Sequence, residues 1–160
     1  QSHNKFYLND LKISDLWDTS KYVSNESILI VLGAHTKYEV FERIPAELLK
    51  KHIDEQGDYK KGRRAIIVTD FWYREDKALH NKYIIAFGPV GRNYVVDIIS
   101  EKKPGIELSD ISTDRCRVMN SDNNILFMDE APDAAYKAVR KFISNNNGLK
   151  RFLDNAWQRN

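Results

Sequence analysis

The residues best placed to do chemistry in this 160-residue chain are Gly88-Pro89-Val90-Gly91-Arg92-Asn93. A glycine turn lets backbone approach a ligand closely. If a helix starts behind it, with Asn93 as its N-cap, free N–H groups would face the turn and favour an anion. Arg92 would add a bidentate contact to phosphate or carboxylate. The spacing is neither Gly-x-Gly-x-x-Gly nor a P-loop, because no Gly-Lys-Ser/Thr follows. Two glycines are also what an ordinary turn needs.

Other side chains could act beside it. His35 follows a long apolar run and could serve as a general base near neutral pH, or simply sit at a helix N-terminus. Asp70 ends a second such run, where an acid could bind a ribose hydroxyl or a metal, or cap a turn. Phe71-Trp72-Tyr73 could stack a base or sugar, centre an interface, or plug the core. Asp70, Glu75, Asp76 and Asp129 have no spacing that demands Mg²⁺. His52 and His80 are too scattered for zinc, and Cys116 has no cysteine partner, so no metal is assigned. Arg115 and Arg117 flank Cys116 and could lower its pKa, but a lone cysteine on a strand also reads as a small buried hydrophobe. Neither a Gly-x-Ser-x-Gly elbow nor a supported Ser-x-x-Lys arrangement occurs, so covalent catalysis is not indicated.

The elements that position these residues follow from hydrophobic periodicity. Ser27–Gly33, Arg64–Asp70 and Tyr83–Gly88 are continuous apolar runs of the length expected for strands buried on both faces. Between the first two, Val40, Phe41, Ile44, Leu48, Leu49 and Ile53 recur at helical spacing, with Thr36 as cap, a kink or restart at Pro45, and Gly57 as the stop. That is a βαβ unit, whose crossover is right-handed. Phe71-Trp72-Tyr73 falls in a loop. Residues 94–99 are ambiguous: Asn93 favours a helix of about three turns and the β-branched content a strand. Arg115–Met119 and Ile125–Met128, separated by turn residues, suggest a hairpin. Pro132 or Asp133 opens a helix carrying Ala134, Ala135, Ala138, Val139, Phe142 and Ile143. A last helix carries Leu149, Phe152, Leu153, Ala156 and Trp157. Upstream, Leu8, Leu11, Ile13, Leu16 and Trp17 suggest a short element covering the body, and Gln1-Ser2-His3 reads as a tag remnant.

The expected fold class is therefore α/β: residues 4–160 as one three-layer domain, a mostly parallel sheet with helices on both faces and a C-terminal β-hairpin. The net charge of +2 argues against general nucleic-acid binding, although Lys60, Lys61, Arg63 and Arg64 form a local basic run. The single cysteine excludes an internal disulfide and suits a reducing cytoplasm. No apolar run approaches the roughly 20 residues that span a bilayer.

Strand–helix–strand followed by a Gly-rich turn after a later strand resembles Rossmann-like nucleotide-binding domains over residues 27–145. No diagnostic motif of a named family is present, so the resemblance implies no catalytic residue and no particular cofactor. In such sheets ligands bind beyond the carboxyl ends of the strands. The expected rim comprises Gly33, Thr36, Trp72, Tyr73, Gly88, Gly91, Arg92 and Asn93, with His35 or Asp70 as acid/base if the protein is an enzyme. The ligand would be small and phosphorylated or nucleotide-like. The alternative is a non-catalytic interaction or oligomerisation module, with the aromatic triplet and Trp157 at the contact.

Overall fold

A computed structural model describes residues 22–81, 83–102, 107–108, 112–121, 123–131, 133–145 and 148–159. The lead-in around Leu8, Leu11, Ile13, Leu16 and Trp17, the stretch Gln1–His3, and Pro132 lie outside the described residues.

Six strands form one sheet: β1 (Ile28–Leu32), β2 (Ala65–Thr69), β3 (Ile84–Phe87), β4 (Glu107–Leu108), β5 (Cys116–Asn120) and β6 (Asn124–Asp129), in the order β2-β1-β3-β6-β5-β4. β2, β1, β3 and β6 are mutually parallel. β5 runs antiparallel to β6, and β4 antiparallel to β5. The fold is α/β with a mostly parallel sheet, and the expected hairpin is the β5–β6 pair. The apolar run in β1 has a physical cause. With a neighbour on each side and side chains packed on both faces, all five of its residues are buried.

The helices are α1 (Thr36–Gln56), α2 (Asp70–Glu75), α3 (Tyr94–Lys102), α4 (Ala134–Ser144) and α5 (Gly148–Ala156). Alternate residues of β1 feed two cores. Ile28, Ile30 and Leu32 join Ala46, Leu49 and Ile53 of α1, the inner face of α4 and that of α5. Leu29 and Val31 join Val95, Val96 and Ile99 of α3, with Leu79 and Met128. Helices therefore cover both faces, and fully burying each large aliphatic contributes about 1.5–3 kcal/mol. Among the described residues, no helix is long and apolar enough to cross a membrane.

The chain leaves β1 to one side to form β2 and returns to its other side to form β3. The strand order thus reverses between β1 and β3. In open parallel sheets, loops diverge at such a switch point and leave a crevice beyond the carboxyl ends.

Of the two readings left open for residues 94–99 the helix holds, and Asn93 caps it: its Oδ1 accepts from the Val95 N–H at 2.9 Å. Other expectations are corrected. Phe71-Trp72-Tyr73 is not a loop but the core of α2, nucleated by Thr69, whose hydroxyl accepts from the Trp72 N–H. His35, not Thr36, holds the N-cap position of α1, and its side chain makes no capping bond. α1 runs through Pro45 without a restart, since one lost backbone bond is tolerated in a long packed helix.

The largest correction concerns the face of α1. Val40, Phe41 and Ile44 are 61, 52 and 59% exposed, whereas Ala46, Leu49 and Ile53 are fully buried. The inward face of the first turns is instead occupied by Glu42, which is 3% exposed. Residues 42, 46, 49 and 53 lie four, three and four apart, which is helical spacing on one face. A helix rotated to bury that row must present 40, 41 and 44 to solvent.

Candidate functional site

The carboxyl edge of the sheet at the switch point is built by two loops, 33–35 after β1 and 88–93 after β3, and two side chains clasp them together. Asn93, almost fully buried, donates from Nδ2 to the carbonyls of Val31 at 3.0 Å and Phe87 at 2.8 Å. It thereby ties the ends of β1 and β3 to the start of α3. Asp70 accepts from the Ala34 N–H through Oδ1 and from the Tyr94 N–H through Oδ2, both at 2.8 Å. Gly33 is where the loops touch: a Cβ there would lie 2.1 Å from the Arg92 carbonyl oxygen, so only glycine fits.

These bonds change the roles expected from sequence. Both carboxylate oxygens of Asp70 are committed to backbone donors, which makes it a positioning residue. The N–H groups expected to be free at the turn are also engaged. Gly91 donates to Asp97 Oδ1, Arg92 to the Pro89 carbonyl, Tyr94 to Asp70 and Val95 to Asn93. An anion cradle behind Gly91 is therefore filled by the protein itself. The uncapped N-terminal turn of α1, beside Gly33 and His35, is the other helix start at this edge.

Arg92 is half-buried and lies on the ring of Tyr38, its guanidinium carbon 3.6 Å from the ring centroid. Among the described residues its guanidinium makes no hydrogen bond or ion pair. His35 is exposed, with its ring 5.3 Å from that of Tyr38. His35, Tyr38 and Glu42 lie along one side of α1 at intervals of three and four, so that side runs from the helix start to a buried carboxyl.

Beneath the 88–93 turn, Glu42 meets Asp129, the last residue of β6. Both are buried, 3 and 2% exposed. Glu42 Oε2 and Asp129 Oδ1 have no hydrogen-bond partner. Gly88, at φ +122°, keeps the space above Glu42 open: a Cβ there would lie 3.5 Å from Oε2. Burial pushes the Glu42 carboxyl up to about 9, followed by the charge of Asp129 and the hydrogen bond between the two, with Arg92 pulling the other way. Asp129 is also raised by burial, while its hydrogen bond with Glu42 acts to lower it. Of the two carboxyls Glu42 is therefore the harder to ionise, and at neutral pH it keeps its proton.

The remaining candidates lie elsewhere. Trp72 is packed against the core on the α3 side of the sheet, its Nε1 3.3 Å from Asp76 Oδ2. Tyr73 stacks on His80 at 4.6 Å. Neither ring is on the α1 side with Glu42. Trp157 is 2% exposed and donates to the Glu26 carbonyl, so it belongs to the core and not to a surface. Cys116 is fully buried, and burial, then the charges of Asp129 and Glu42, push its thiol up to about 12, the opposite of an activated nucleophile. In the basic run, Arg63 donates to the Trp157 carbonyl and pairs with Glu26, and Arg64 donates to the Tyr22 carbonyl over the Tyr59 ring. Only Lys60 and Lys61 of that run are exposed. Among the described residues, no group of three or more His, Cys, Asp or Glu could hold a metal. A separate groove of about 600 Å³, lined by Phe41, Ile44, Pro45, Tyr136 and Lys137 among others, shares no residue with the rim.

Sequence reasoning placed Gly33, His35, Gly88, Gly91, Arg92 and Asn93 at one edge, and the loops do converge there. Glu42 and Tyr38 were missed. The available signal was the acidic residue in register with Ala46, Leu49 and Ile53. No protein-family model, no curated protein and no solved structure matches this chain.

Proposed function

We propose that this chain is a Rossmann-like three-layer domain that binds a small phosphorylated or nucleotide-like ligand in the crevice between the β1 and β3 loops. One observation carries the reading. An arginine without a described hydrogen-bond or ion-pair partner, oriented by Tyr38, sits at the topological switch point over a buried acid pair. Arg92 would hold the anion together with the uncapped first turn of α1. His35 is the exposed group nearest that turn and would serve as acid/base if a reaction occurs. Asp70 and Asn93 would hold the loops in place.

Thermal unfolding of the purified protein against nucleotides, sugar phosphates and inorganic phosphate, with Arg92→Ala alongside, tests this. A ligand at a hundredfold excess over its Kd stabilises the native state by about 2.7 kcal/mol. We expect a shift in the wild type that is lost in Arg92→Ala. A shift that survives the substitution removes Arg92 from the site, and no shift with any compound removes the small-ligand reading.

The second reading, an interaction or oligomerisation module, is favoured by the solvent-facing row Val40, Phe41 and Ile44 with Tyr136. It predicts self-association that Phe41→Ser abolishes without loss of stability. Light scattering that gives a monomer for the wild type at high concentration removes this reading.

A further inference from the structure

The acid pair and the arginine belong to one electrostatic unit. Arg92 acts on both Glu42 and Asp129. Glu42 is more than nine-tenths buried, and its unpartnered Oε2 lies under Gly88, the residue that begins the turn carrying Arg92. Two ionised carboxylates at this point would repel an anion from Arg92. One proton between them leaves a single charge, which Arg92 balances.

We propose that the rim is a proton-coupled oxyanion site, in which an oxyanion of the phosphate or sulfate type binds at Arg92 while Glu42 and Asp129 share one proton beneath the turn. This rests on the ligand reading above and narrows it. The ligand offers a compact, multiply charged oxyanion, and its binding holds the proton in place. By linkage, when the pair loses its proton the anion weakens, and when the anion binds the pair keeps its proton to higher pH. No bond is made or broken.

The groups facing Glu42 come from each element packed against it: Asp129 of β6, Arg92 of the turn after β3, Cys116 of β5, and Glu39 and Tyr38 of α1 itself. Glu42→Gln retains a neutral hydrogen-bonding group and leaves the other facing groups unchanged, so it isolates the contribution of the pair.

Sulfate is the probe, because its charge is constant from neutral to alkaline pH. Its affinity would be measured by calorimetric titration at pH 7 and pH 9.5, with circular dichroism confirming that the protein is folded at both. We expect about a fourfold loss of affinity at the higher pH in the wild type, at most about a 1.5-fold loss in Glu42→Gln, and no binding in Arg92→Ala. If Glu42→Gln does not fold, Glu42→Leu, which likewise has no proton to lose, takes its place with the same expectation. Wild-type binding that is equal at the two pH values, or a loss that persists in the variant, overturns this inference and leaves the ligand reading standing. No sulfate binding at either pH overturns the oxyanion site itself.

Discussion

Replacing Glu42 by Gln should make the protein more stable in mild alkali and change how its stability depends on pH. The side chain is 3% exposed, and its carboxyl is raised from 4.5 to about 9 in the fold, chiefly by burial. A group whose folded pKa is raised gives its full stability below the unfolded value and loses it as pH climbs through the folded value. The window is therefore pH 4.5 to about 9. At about 1.4 kcal/mol per unit, the full shift corresponds to an upper bound of about 6 kcal/mol. Relaxation and water entry around an ionised buried pair reduce that figure, and we expect a loss of about 2–4 kcal/mol in the wild type across the window. Gln has no proton to lose, so its profile should be nearly flat there. Urea unfolding at half-unit steps from pH 5 to 9.5 measures both. The variant should gain on the wild type steadily with pH, with the m-value unchanged. Two parallel profiles would refute the reasoning, because they would mean that Glu42 ionises in the fold as it does in the unfolded chain.

Three further outcomes follow from the geometry of the switch point and the core. Asn93→Ala removes the donor from two carbonyls and the acceptor from one N–H in a buried site, and should cost about 2–4 kcal/mol in chemical denaturation; a cost under 1 kcal/mol would show that the clasp is replaced by water. Gly88→Ala should destabilise more than Gly91→Ala, by about 1–3 kcal/mol against roughly 1, since both have positive φ but only Gly88 has Glu42 and Asn93 within 4 Å; the reverse order in thermal unfolding would contradict this. Cys116 should resist a thiol-disulfide reagent at pH 8 in the native protein and react at once in denaturant, and rapid stoichiometric labelling without denaturant would contradict its burial.

How far the sequence could be read depended on whether one interaction or several decided an element. β1 and β3 are buried from every side, so their apolar runs had one interpretation. The helix at 94–102 was decided by a single side chain, since the Asn93 cap outweighs the β-branched content behind it. α2 was unreadable for the opposite reason. Its six residues carry too little periodicity, and the Thr69 cap is recognised only once β2 is known to end there. In α1 two rows competed. The apolar row at 40, 41 and 44 is the stronger local pattern, and the row at 42, 46, 49 and 53 wins because Ala46, Leu49 and Ile53 fit against β1.

That outcome leaves the fold with a carboxyl in its interior and three large apolar side chains in solvent, both unfavourable. A leucine at 42 would avoid the first without altering the packing of Ala46 or Leu49. Most side chains at the switch point do structural work: Asp70, Asn93 and Asp97 bond the loops, and Tyr38 supports Arg92. Arg92, Glu42 and Asp129 do not share in it. Removal of either carboxyl should make the protein more stable or leave it unchanged in mild alkali, whereas removal of a clasp residue should destabilise it. Sequences in which local pattern and tertiary position disagree most tend to do so at functional sites, where destabilising groups are retained for what they bind. In this chain that disagreement is at position 42.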